Sequence, residues 1–70
     1  MPTLKAIREQ RGITQVELTR QTGLSLGAIR RMESGAGVLA TSVRLVAGAL
    51  GVPVESIEGI NIVNRVVRKL

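Results

Sequence analysis

The 70-residue sequence contains no cysteine, no histidine and no aromatic residue. The absence of cysteine and histidine excludes a disulfide framework, a Cys/His zinc site and any nucleophile that an imidazole would activate. The absence of Phe, Trp and Tyr argues against binding of single-stranded nucleic acid by base stacking. We therefore expect a protein that uses neither a metal nor a cofactor.

Acidic residues are also scarce: five acidic side chains stand against ten Lys and Arg, which gives a net charge of +5. A strongly basic small domain typically binds an anionic partner, usually nucleic acid or a membrane surface. Hydrophobic residues make up 44% of the chain, which distinguishes it from a disordered basic tail. At this length the composition predicts one compact domain.

Long hydrophobic runs are missing too. The most apolar stretch, residues 46–54, is far shorter than the roughly 20 residues that span a bilayer, and the first ten residues lack the apolar segment of a secretory signal. The basic C-terminal stretch lacks the Trp or Phe that usually anchors membrane-surface helices. We expect a cytoplasmic protein that does not bind membranes.

Capping residues and glycines divide the chain into short segments with helical periodicity. Thr14 and Glu17 have the spacing of a capping box, and Ser25 is placed to cap the next helix. Few residues remain for strands, so the pattern predicts five helices. Their expected ranges are residues 4–11 after a Thr3 cap, 15–22, 26–33, a fourth helix from a Thr41 or Ser42 cap to residue 50, and 53–57.

The last stretch, residues 60–70, separates from residues 1–59 as an amphipathic basic tail. Its apolar residues recur at helical spacing with Asn61 as a possible cap, whereas its five Ile and Val favour a strand. Because strict alternation fails at two apolar pairs, a helix is favoured over a strand. A segment this short is not stable alone, so it is expected to pack on the domain or to form a dimer or partner interface. The apolar residues of this interface are Ile62, Val63, Val66, Val67 and Leu70.

Residues 14–33, TQVELTRQTGLSLGAIRRME, predict two short helices joined at a turn around Gly23, the second of them basic on its outer positions. This layout is typical of a helix-turn-helix unit. With the flanking LKAIREQRGI and LVAGALGVPVESI, the chain resembles the phage-repressor-like (Cro/CI, or XRE) helix-turn-helix family over residues 4–57. The resemblance implies an all-α fold, a compact five-helix bundle of the lambda-repressor-like type with a C-terminal extension. It also implies a bacterial or phage-encoded, nucleoid-associated protein.

The resemblance further implies contacts to double-stranded DNA from the start of the second helix and from the third. The free N–H groups at a helix N-terminus favour a phosphate beside Gln15. Arg31 is expected to read a guanine and Arg30 a base or a phosphate, against the alternative of a solvated helix face. The expected DNA-binding residues are Gln15, Ser25, Leu26, Gly27, Arg30 and Arg31. Further phosphate contacts are expected from Thr14, Ser34, Thr41 and Arg44.

The sequence differs from the family pattern at two places and matches a structural ion pair of the family. Leu26 and Gly27 stand where family members often place polar, base-reading side chains. Arg8 and Glu33 match a family ion pair between the first and third helices, although by spacing alone both would be solvated charges. The uncharged loop after the third helix leaves Val38 and Leu39 for burial or a subunit contact. The positions that match the family core are Leu18, Leu24, Ile29, Met32, Val46 and Leu50.

Two functions remain as hypotheses. The first is a sequence-specific DNA-binding transcriptional regulator, a repressor that binds a near-palindromic operator as a homodimer. The alternative is a protein-interaction or antitoxin-like module whose tail binds another protein. An enzyme is not expected, because Glu17 and Glu33 have structural roles and no convergent pair of carboxylates remains.

Overall fold

Four α-helices and one two-stranded sheet make up the computed structural model, which describes residues 2–63. The sheet is parallel, with Gly37 opposite Asn61 and Val38 opposite Ile62. The elements in chain order are α1 (Leu4–Gln10), α2 (Gln15–Thr22), α3 (Leu26–Ser34), β1 (Gly37–Val38), α4 (Ala40–Leu50) and β2 (Asn61–Ile62).

The first three helices begin at the capping residues that the sequence predicts. The hydroxyls of Thr3, Thr14 and Ser25 accept hydrogen bonds from backbone N–H groups three residues ahead, at 3.2, 3.0 and 3.1 Å. The Thr14–Glu17 capping box is confirmed in both directions. These hydroxyls satisfy N–H groups that have no acceptor within the helix, which fixes where each helix starts.

Replacement of Ser25 by alanine is expected to lower the free energy of unfolding by about 1 kcal/mol, because α3 loses its N-terminal acceptor. Urea denaturation of the free protein measures this change. Thr41→Ala is the matched control: Thr41 lies exposed in the first turn of α4 and does not cap it, so its loss should stay within about 0.5 kcal/mol. Equal losses in the two variants would contradict the assigned role of Ser25.

The predicted cap of the fourth helix is wrong. Helix α4 begins at Ala40, and its N-cap position is held by Leu39, which offers no side-chain acceptor. The Leu39 carbonyl instead accepts from the amides of Ser42 and Val43 at 3.1 and 3.2 Å. The chain leaves β1 in an extended conformation and turns directly into the helix, so the start follows from the strand and not from a capping side chain.

The predicted fifth helix is also wrong. Residues Val54–Ser56 form a single 3-10 turn, closed by the Ile57 amide on the Val54 carbonyl at 3.1 Å. Ile57 itself is extended, and the next amide, that of Glu58, donates to the Pro2 carbonyl at 2.9 Å. This pairing with the start of the chain draws the backbone out of the helical conformation after one turn.

The helix favoured for the tail is wrong where the structure describes it. Asn61 does not cap a helix but lies in β2, whose β-branched Ile62 suits a strand. The amide of Val63 continues the pairing by donating to the Val38 carbonyl at 2.8 Å. The strand forms because β1 offers backbone partners that an isolated tail lacks. The remaining predicted tail positions, Val66, Val67 and Leu70, lie outside the described residues.

The core lies between the helices and is closed by Val38 and Ile57. Of the predicted core positions, Leu18, Ile29 and Val46 are completely buried, and half-buried Leu24 packs against them. Within residues 2–63 no helix reaches the length and hydrophobicity that a bilayer crossing requires. The buried hydrophobic residues are Leu4, Ile7, Leu18, Ile29, Met32, Val38, Val43, Val46, Ala47, Leu50 and Ile57.

Candidate nucleic-acid interface

A tight turn holds α3 against α2. Gly23 ends α2 with a φ of 76°, a left-handed conformation that residues with a Cβ adopt only at a cost. The Thr22 hydroxyl then donates to the Leu18 carbonyl at 2.7 Å and accepts from the Leu24 amide at 3.2 Å. These bonds fix the direction in which α3 leaves the turn. Its inner face packs on the core and its outer face remains in solvent.

The two arginines of α3 lie on opposite flanks of that outer face. Both are exposed, but Arg30 borders a depression shared with the N-terminus of α2, whereas Arg31 borders one shared with β1 and the start of α4. Consecutive residues on a helix are about 100° apart, so this divergence follows from their spacing. The two side chains are therefore suited to different contacts on the same partner.

The flank beside α2 brings together four of the residues predicted to contact DNA: Thr14, Gln15, Leu26 and Arg30. The Thr14 hydroxyl is engaged in the capping box. The Gln15 amide donates from Nε2 to Oε1 of Glu33 at 3.0 Å, a contact that the sequence did not indicate. Its second N–H and its oxygen are not used in that bond, so Gln15 can brace Glu33 and still face a phosphate.

The flank beside β1 brings together Ser25, Gly27 and Arg31. Ser25 accepts from the Ala28 amide, which leaves its own O–H to donate elsewhere. A Cβ built on Gly27 would come no closer than 3.9 Å to another residue, an ordinary contact with the Ser25 Oγ. The fold therefore does not require glycine at this position, although glycine inside a helix costs about 1 kcal/mol relative to alanine.

The other predicted phosphate contacts are not drawn into either depression. Ser34 directs its hydroxyl back to the Arg31 carbonyl at 2.9 Å. Thr41 and Arg44 are exposed on the first turns of α4. They remain accessible to a ligand larger than either depression.

Arg8 and Glu33 form an ion pair between α1 and α3, with 2.6 Å between Nε and Oε2 and only 10% and 8% of the two side chains exposed. Nη2 of Arg8 reaches Oε1 of Glu33 at 3.3 Å, and Nη1 donates to the Ile13 carbonyl at 2.9 Å. Because Gln15 donates to the same Oε1, the ion pair and this hydrogen bond together connect α1, α2 and α3. Each buried charge is thus hydrogen-bonded as well as paired, the condition under which burial is tolerated.

The hydrogen bond to Glu33 raises the pKa of Arg8 above its ordinary value, against the opposing effect of burial. A cation with a raised folded-state pKa stabilises the fold fully below its unfolded pKa and loses that effect only as the pH rises through the folded one. Arg8 therefore remains charged, and its contribution constant, throughout the neutral range.

The residues predicted for a subunit or partner interface divide into two groups. Val38 is buried and belongs to the core of its own chain, one of the two roles expected for it. Leu39, Ile62 and Val63 are 43%, 41% and 47% exposed. Leu39 and Val63 border the same depression as Arg31, so an apolar margin adjoins the outer face of α3.

A further bond that the sequence did not indicate links this face to the sheet. Arg31 donates from Nη2 to the Gly37 carbonyl at 3.1 Å. The residues lie six apart and in different elements, so no local pattern signals the contact. The sequence signal at this position is Gly37 itself, because a glycine in a strand often marks a close approach of another group to the backbone.

A family model described as helix-turn-helix matches residues 4–57, the range from the start of α1 to the end of the 3-10 turn. No curated protein and no solved structure matches the chain significantly.

Proposed function

Because this chain belongs to the helix-turn-helix family of the phage-repressor (Cro/CI, XRE) type, a family of DNA-binding transcription regulators, we propose that it represses transcription from a near-palindromic operator as a homodimer. The observation that carries the proposal is the outer face of α3, which exposes Gly27, Arg30 and Arg31, with Arg30 beside the N-terminus of α2 and the other two beside β1. We assign it to the cytoplasm and give it no catalytic role.

The positions of Arg30 and Arg31 on opposite flanks of the outer face of α3 support two different DNA contacts. Arg31 reads a base edge in the major groove, since an arginine bound to guanine through two N–H groups is the commonest specific contact. Arg30, with Gln15 and the first N–H groups of α2, holds a phosphate on the other flank. Ser25 supplies a further hydroxyl, and Leu26 offers apolar contact to a thymine methyl.

A homodimer fits the remaining features of the chain. One small domain reads few base pairs, and two copies related by a twofold axis double the reading length. Leu39, Ile62 and Val63 supply exposed apolar surface for such a contact. We assign the apolar residues Val66, Val67 and Leu70 of the tail sequence to the same interface. In this proposal residues 1–59 are the DNA-binding domain and residues 60–70 the dimerisation element. The tail carries three basic and no acidic side chains, which strengthens phosphate attraction for every sequence.

Selection from a random duplex pool tests the proposal directly. The purified protein is mixed with the pool at fixed salt, and the retained duplexes are sequenced. An enriched palindrome is the expected result, and its half-site spacing reports the separation of the two α3 helices. Retention without enrichment, weakening steeply with salt, would contradict sequence-specific binding.

Gly27→Ala is expected to raise the stability of the fold and to lower its affinity for DNA. The substitution should raise the free energy of unfolding by about 0.4–1 kcal/mol, because the helix gains a better helix former with room for its Cβ. It should also weaken binding to the selected duplex, because the methyl group lies where the DNA backbone approaches. Thermal unfolding and duplex titration measure the two effects.

Gly48→Ala is the matched control for this prediction. Gly48 is an exposed glycine inside α4, and a Cβ at this position would meet no other residue within 4 Å. We expect the same gain in stability with unchanged DNA affinity. If Gly27→Ala binds DNA as well as Gly48→Ala does, α3 does not approach DNA at Gly27.

The alternative is a protein-interaction or antitoxin-like module that binds a second protein through the tail. The exposed Leu39, Ile62 and Val63, in a part of the chain without charge, favour it. A defined hetero-complex that persists in the Arg30→Ala/Arg31→Ala variant would support this function, and its loss in that variant would count against it.

A further inference from the structure

Strand β1 has a different partner on each of its two edges. On one edge the Val38 carbonyl accepts from the Val63 amide at 2.8 Å, within the pairing with β2. On the other edge the Gly37 carbonyl accepts from Nη2 of Arg31 at 3.1 Å. Because successive peptide groups of a strand face opposite edges, the pairing of Val38 with β2 turns the Gly37 carbonyl toward α3.

We propose that β1 and β2 position Arg31 for base reading, so that Gly37 and β2 determine sequence discrimination without touching DNA. The inference rests on the proposed function, in which Arg31 contacts a base edge. The guanidinium is planar and has five N–H donors, so one bond to Gly37 orients it and leaves a pair of donors for guanine. Ordering this long side chain before binding removes part of the entropy cost of the contact.

A substitution at Gly37 can disturb the position of Arg31 without changing any residue of α3. A Cβ at position 37 would lie less than 3.0 Å from Cγ2 of Val63, which is too close for both to keep their places. The φ of Gly37 is not positive, so alanine suits its backbone and the clash is confined to Val63. Gly37→Ala therefore forces Val63 to shift relative to β1, whereas Val63→Ala removes the atom that would be struck.

The test measures sequence discrimination in four proteins: the wild type, Gly37→Ala, Val63→Ala and the double variant. Discrimination is the Kd for the duplex in which the base pair read by Arg31 is replaced, divided by the Kd for the selected duplex. We expect Gly37→Ala to lower this ratio about tenfold, as loosening one positioned donor group would. The same substitution should have little effect when Val63 is already alanine, a coupling that two independent sites would not show.

Three results would overturn the inference. The first is an equal loss from Gly37→Ala in both backgrounds, and the second is no loss in either while Arg31→Ala abolishes discrimination. The third is tighter binding by Gly37→Ala, which would mean that the carbonyl withholds Arg31 from DNA.

A measurement without DNA separates failure of this inference from failure of the proposed function. NMR relaxation of the Arg31 guanidinium nitrogens in the free protein reports how firmly the group is held. Lower order in Gly37→Ala, recovered in the double variant, is the expected result, and unchanged order would overturn the positioning role. A wild-type protein that selects no duplex would refute the proposed function, and the relaxation data would still decide whether Gly37 holds Arg31.

Discussion

Replacement of Glu33 by alanine is expected to lower the free energy of unfolding by about 3–5 kcal/mol, because it leaves the buried charge of Arg8 without its partner. Only 8% of the surface of Arg8 is exposed, so water replaces the lost carboxylate only poorly. Gln15 loses its acceptor in the same step. For a domain of this size, a loss of that magnitude corresponds to a melting temperature roughly 12–40 °C lower.

Two further variants make this prediction specific. Arg8→Met combined with Glu33→Leu removes both charges and fills the space with apolar side chains, so most of the lost stability should return. Glu55→Ala, at an exposed carboxylate in the 3-10 turn, should change stability by less than about 0.5 kcal/mol. A double variant that is as unstable as Glu33→Ala would contradict this explanation. It would show that the contact among α1, α2 and α3 needs the hydrogen bonds of Arg8 and Glu33, and that removal of both charges is not enough.

Replacement of Arg31 by alanine is expected to weaken binding to the selected duplex by about 5- to 150-fold, the range for loss of one arginine–guanine contact. Binding to an unrelated duplex should fall much less, because that binding depends on phosphates and total charge. Titration of both duplexes at one salt concentration measures the difference.

Arg20→Ala serves as the control for charge. Arg20 is exposed near the end of α2 and borders neither depression beside α3, so its loss removes one positive charge without touching the proposed contact. We expect both duplexes to lose affinity slightly and equally. If Arg31→Ala behaves in the same way, the arginine binds a phosphate and does not read a base.

The helices could be predicted from the sequence because their signals are local. A hydroxyl such as that of Ser25 caps a backbone N–H only three residues ahead, and Gly23 permits the turn at its own position. The family resemblance identified Leu18 and Ile29 as core residues, and the apolar positions of the helices repeat at the helical period. These interactions are complete within one or two turns, so neighbouring residues alone carry the information.

The site was predicted in part. The family resemblance indicated DNA contacts for Ser25, Gly27 and Arg31, which the structure brings to one flank of α3, and it also paired Arg8 with Glu33. The resemblance and the free N–H groups at the start of α2 indicated a phosphate beside Gln15, and the structure adds its bond to Glu33. A side chain of this length reaches several partners, and only the packing of α2 on α3 selects one of them.

The sequence by itself determined the four helices, the capping residues of the first three and the apolar faces that form the core. The tertiary structure decided how residues 53–62 are arranged, with one 3-10 turn and a strand in place of two helices. The reason is that Gly37 and Asn61 pair across a long stretch of chain, and such pairing depends on the path of everything between them. The same pairing turns the Gly37 carbonyl toward Arg31, so a contact beside the outer face of α3 was fixed by residues far from it in sequence.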